Sequence, residues 1–103
     1  MSLVMVIVTT ESHEQARVIA ERVLQGRLAA GVNILPDAQT IYWGENELVK
    51  SVEHLLIFRT TQSKVALIGS LLAEVNQEIE ISVVPVTQIN PKYESWIQST
   101  VNL

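Results

Sequence analysis

At 103 residues the chain has room for a single domain, 1–103, and its 48% hydrophobic and 17% charged composition excludes intrinsic disorder. Seven Lys+Arg stand against eleven Asp+Glu, a net charge of −4 with no basic stripe, which disfavours binding to phosphate backbones, and no nucleic-acid partner is expected. The absence of cysteine excludes disulfides, thiolate metal ligands and a cysteine nucleophile.

Leu3-Val4-Met5-Val6-Ile7-Val8 is a continuous apolar run, the pattern of a strand buried on both faces. It is far shorter than the ~20 residues that span a bilayer. No positive region or small-residue cleavage site accompanies it. The expectation is therefore no membrane partner and a cytoplasmic location. Ser12 with Gln15 three residues on forms a capping box. Ala16, Ile19, Ala20, Val23 and Leu24 then repeat at helical spacing, and Gly26 is placed to close that helix.

Ala29 to Trp43 reads as an extended segment, bent where Pro36-Asp37 interrupts it. Gly44-Glu45-Asn46 is turn chemistry, and Glu47 to Thr61 returns as a second segment, giving an antiparallel hairpin. Arms of about 14 residues exceed the usual strand of ~5–6 and predict a projection beyond the body of the domain. Ser63 is placed to cap a second helix carrying Val65, Ile68, Leu72 and Val75, with Leu67 and Leu71 beside the stripe. Gly69 inside it costs ~1 kcal/mol relative to Ala, which suggests close packing against a neighbour. Glu78-Ile79-Glu80-Ile81 alternates like a half-exposed strand running on to Val86, at a sheet edge because Pro85 cannot donate to a ladder. Asn90-Pro91 starts a short last helix, with Tyr93, Trp96 and Ile97 facing one way.

The order βαββαβ plus a short C-terminal helix predicts an α+β, ferredoxin-like sandwich, with both long helices on one face of a four-stranded antiparallel sheet. The other face is left apolar and bare, which argues for an oligomer.

Four blocks then fall in one order: Leu28-Ala29-Ala30-Gly31-Val32-Asn33-Ile34, Ile41-Tyr42-Trp43, Leu55-Leu56-Ile57-Phe58-Arg59-Thr60 and Asn90-Pro91-Lys92-Tyr93-Glu94-Ser95-Trp96. Together they resemble the CutA family of divalent-cation-tolerance proteins over roughly residues 4–100. The resemblance implies a homotrimer with hairpin arms pairing between subunits, a link to copper and other divalent metals, and structural similarity to PII-type trimers that bind effectors between subunits. It brings no reaction with it. The family usually has Cys, regarded as a possible copper ligand, where this chain has Gly31. It usually has a second aromatic at Gly44 and Lys at Arg59. Its His-Pro-Tyr-x-x-Pro-Glu segment is shortened here to Asn76-Gln77-Glu78-Ile79-Glu80, in which Glu80 matches the final acid.

Candidate site residues follow. His13 and His54 are far apart in sequence and lack a second His at helical spacing, so each reads first as a structural histidine. The metal alternative is a weakly bound divalent ion, Cu or Zn, held by His with Asp37, Glu45 or Glu47 from neighbouring subunits. Glu78 and Glu80 sit close enough for acid–base work, but such a pair is more often a solvated strand face. No nucleophilic triad or glycine-rich phosphate loop is present, so no catalytic residues and no enzyme are expected. Tyr42, Trp43 and Trp96 are expected to anchor the trimer interface. The alternative is an inter-subunit cleft in which Arg59, Glu80, Trp43 and Tyr93 hold a small anion, with the Arg59 fork as its principal contact.

Overall fold

The computed structural model describes residues 2–102. Strand β1 (Leu3–Thr10) leads into helix α1 (His13–Gln25), followed by the hairpin of β2 (Gly31–Trp43) and β3 (Leu48–Thr61). Helix α2 (Val65–Val75), strand β4 (Ile81–Pro85) and helix α3 (Pro91–Val101) complete the order. The sheet runs β2-β3-β1-β4 with every pair antiparallel, the ferredoxin-like arrangement.

Alternation along the strands divides the sheet into two faces. Val4, Val6 and Val8 of β1 lie opposite Thr60, Phe58 and Leu56 of β3. These apolar side chains are buried with Ala16, Ile19 and Val23 of α1 and Ile68 and Leu72 of α2. Fully burying the Phe58 ring contributes roughly 1.5–3 kcal/mol. The second face is not bare. Helix α3 lies over one end of it, burying Ile97 and Val101 with Leu3 and Ala30. Met5, Ile7 and Thr9 of β1 are therefore only half-buried, whereas the unbroken apolar run of that strand predicts burial on both faces.

Local chemistry explains where the elements begin and end. The Ser12 hydroxyl accepts from the Gln15 N–H at 3.0 Å, the N-cap half of the capping box expected for α1. At the other end Gly26 has φ −80°, and Arg27 takes the left-handed conformation, φ 54°. Leu28 N–H donates to Val23 C=O and Arg27 N–H to Leu24 C=O, a Schellman closure with arginine where glycine is usual. Ser63 is not a helix cap. It lies in a 3-10 turn, Gln62–Lys64, and its hydroxyl bonds that of Thr61 at 2.9 Å. Glu78-Ile79-Glu80 lies outside β4, because the Asn76 side chain accepts from the Glu78 N–H at 2.9 Å and turns the chain there. Gly69 has open space where a Cβ would stand, so no close approach within the protomer requires it.

The hairpin is bent by a bulge between Leu35 and Ala38, where Asp37 takes φ 58°. Beyond it only β2 and β3 remain, paired from Ala38↔Glu53 to Trp43↔Leu48. Ile41, Trp43, Leu48 and Val52 fall on one face of this arm, and all four are exposed, Trp43 at 73%.

Candidate functional site

Arg59 and Met5 lie opposite one another on the second face of the sheet, next to α3. Arg59, Ile89, Tyr93, Trp96 and Ile97 line a cavity of about 320 Å³ between that face and the helix. Proline at the first position of α3 and the burial of Ile97 fix the helix so that Tyr93 and Trp96, one turn apart, border the cavity. An adjoining cavity of about 370 Å³ runs from Arg59 past Met5 to Pro85 and Ile89. The Arg59 guanidinium makes no ion pair among the described residues. An aromatic wall with one planar cation beside it suits a small anion bearing a carboxylate or phosphate.

Not every residue expected in that cleft is near it in one protomer. Tyr93 shares the cavity with Arg59, and Trp96 joins them. Glu80 instead lines a separate polar recess with Thr10, Glu11, Gln15, Glu53 and Glu78. Trp43 stands at the end of the arm, beside Tyr42.

The two histidines, read singly from the sequence, stand together. His54 in β3 is opposite Thr10, the last residue of β1, and is buried at 4% exposure. His13 opens α1 three residues after Thr10, so the register carries it over His54, ring centroids 3.9 Å apart. The bulge brings Asp37 to both: its backbone N–H donates to His54 Nδ1 at 3.0 Å, and its Oδ1 lies 3.3 Å from His13 Nε2. The ligand atoms of these three residues lie within 4.8 Å of one another. All three belong to one chain, whereas a site shared between subunits is the expectation from sequence. Glu45 and Glu47 are at the hairpin turn and take no part. Pro36-Asp37 as a bulge and a ferredoxin-like register were the signals available; spacing within one helix could not reveal the group. Arg17, one turn along α1, is occupied elsewhere: hydrogen bonds to Glu14 and then Glu21 hold its guanidinium above its ordinary, already high range.

Comparison with known proteins places this geometry in a family. The sequence profile described as CutA1 divalent ion tolerance protein matches residues 4–100. The chain belongs to the CutA1 family. The Divalent-cation tolerance protein CutA of Thermus thermophilus is 33% identical over 95 residues, covering 90% of this chain and 92% of that one. Protein CutA 1, chloroplastic, of Oryza sativa is 30% identical over 99 residues, covering 94% of this chain and 56% of that protein. The chain thus spans little more than half the length of this plant relative. The solved structure of the divalent cation tolerance protein from Thermus thermophilus superposes with a TM-score of 0.89 at 31% identity, covering 95% of this chain and 97% of that one.

The copper ligand implied by resemblance to other CutA proteins has no counterpart here. Position 31 is glycine, and a Cβ added there would come within 3.2 Å of Trp96 Cη2. A metal held through a thiol at that position does not fit these residues.

Proposed function

We propose that the chain acts as a non-enzymatic homotrimer in divalent-metal tolerance, copper included, with a binding or signalling role in the cytoplasm. Membership of the CutA1 family supports the metal role. The observation that carries the assembly is the arm, with Ile41, Trp43, Leu48 and Val52 exposed on one face. Its cost appears in the dimensions. The accessible surface is 6705 Å², against about 5800 Å² for a compact monomer of this mass. The radius of gyration is 14.5 Å, against about 13 Å for a compact chain of this length. Further copies covering these arms would remove the excess, with Tyr42 and Trp43 on the arm and Trp96 on α3 as anchors. The non-enzymatic reading is supported by the exposure of Glu78 and Glu80, the carboxylate pair spaced for acid–base work. No helix among the described residues is long and apolar enough to cross a membrane. Deleting the gene should make its host more sensitive to copper, with growth restored by the intact chain. Unchanged tolerance across a copper series would count against the metal role.

The cleft beside α3 favours a second reading, a PII-like effector binder. Arg59 would hold the anion against Tyr93 and Trp96, and Glu80 and Trp43 would have to come from neighbouring copies. In a thermal-shift screen of nucleotides and organic acids, a ligand at 100 times its Kd adds about 2.7 kcal/mol of stability. A hit should vanish in Arg59→Ala; a flat screen, or a hit that survives the substitution, contradicts this reading.

A further inference from the structure

We infer that His13, Asp37 and His54 form a binding site for a borderline divalent transition-metal ion, Zn²⁺ or Cu²⁺, at the root of the hairpin arm. The inference rests on the metal-tolerance reading for its purpose and on the following geometry for its chemistry. Two imidazoles and a carboxylate, from the start of α1, the β2 bulge and β3, present ligand atoms within 4.8 Å of one another. Bonds of 2.0–2.1 Å in a tetrahedron place ligand atoms about 3.4 Å apart, and His13 Nε2 and Asp37 Oδ1 already stand at 3.3 Å. Nitrogen and carboxylate donors together select zinc- and copper-like ions over magnesium or calcium, which take oxygen alone. Three protein ligands leave a position open to water or an exchangeable anion. The His13 and Asp37 side chains are 68% and 69% exposed, so an ion has a path from solvent, while buried His54 supplies a fixed floor.

Metal loading has a necessary local consequence. The Asp37 N–H donates to His54 Nδ1, which puts the ring's single proton on Nε2. An ion bound at Nδ1 takes the lone pair that accepts this bond. An ion bound at Nε2 forces the proton onto Nδ1, where it faces the amide donor to donor. By either route the Asp37 N–H···His54 bond is exchanged for a metal–nitrogen bond, and the bulge peptide loses the partner that holds it. The joint between arm and body therefore responds to the ion.

The test uses the full chain, with Zn²⁺ followed by amide and imidazole nitrogen NMR and Cu²⁺ by electron paramagnetic resonance. One ion per protomer is expected, with the Asp37 amide and both histidine rings shifting together and copper hyperfine structure from two imidazole nitrogens. His13→Ala, at an exposed helix start, and Asp37→Asn, which tolerates the left-handed backbone, should each weaken binding at least tenfold. Both variants should sediment like the parent. Zinc binding that leaves the Asp37 amide and the two rings unmoved, or equal affinity in His13→Ala, overturns the site. A chain that binds no ion yet restores copper tolerance to a deletion strain also overturns it, and leaves the tolerance reading standing. A chain that binds the ion as described but fails to restore tolerance supports the site and counts against that reading.

Discussion

Arg27 shows how a single residue can hold an unfavourable conformation because its neighbours require it. Its φ of 54° closes α1, a geometry that costs an L-residue roughly 1–2 kcal/mol and glycine nothing. Among the described residues, the Arg27 side chain returns one exposed hydrogen bond, Nη1 to the Thr100 carbonyl at 3.3 Å. Arg27→Gly should therefore raise stability by about 1 kcal/mol, read as a higher urea midpoint with an unchanged slope at fixed protein concentration. A lower midpoint would mean that the bond to Thr100 matters more than the backbone. The sequence points to Gly26 as the helix stop and is right about the place by one residue, because propensity names the residue that prefers the conformation and not the one that adopts it. The histidines show the same limit. Each is ordinary in its own segment, and only the pairing of Thr10 with His54 brings them together.

Among the elements, α2 carries an unexplained glycine. Gly69 lowers helix propensity by about 0.8–1.0 kcal/mol relative to alanine, and nothing within 4 Å of its would-be Cβ compensates. Gly69→Ala should stabilise the protein by about 1 kcal/mol in equilibrium denaturation. A loss of stability or of assembly would instead show another copy pressing on this face of the helix. Strands and helices were largely legible: the 3.6-residue stripes of α1 and α2 report their own burial, while the unbroken runs at Leu3–Val8 and Leu55–Phe58 mark strands but not that Met5, Ile7, Leu55 and Ile57 stay half-buried. Less legible were the segments whose shape is set by side chain to backbone bonds. Asn76 drew Glu78–Glu80 out of the strand that their alternation suggested, and Ser63 spent its hydroxyl on Thr61. Helix α3 was readable as a helix, but its docking on Leu3 and Ala30 depended on partners distant in sequence.

For the whole molecule, the body is closed on one face by two helices and on part of the other by a third, while the arm extends it to 45 Å along its longest axis. A two-stranded ribbon is marginal alone in water, and this one also exposes Ile41, Trp43, Leu48 and Val52. The overlong segments on either side of Gly44 made the projection legible from sequence. The cleft beside α3 was only partly so, since Arg59 and Tyr93 meet there but Glu80 and Trp43 do not. Sedimentation equilibrium at low micromolar concentration addresses the assembly most directly. One species of three times the 11.5 kDa chain mass is expected, shifted toward smaller species by Trp43→Ala. A folded particle of a single chain mass, unaltered by that substitution, would contradict it.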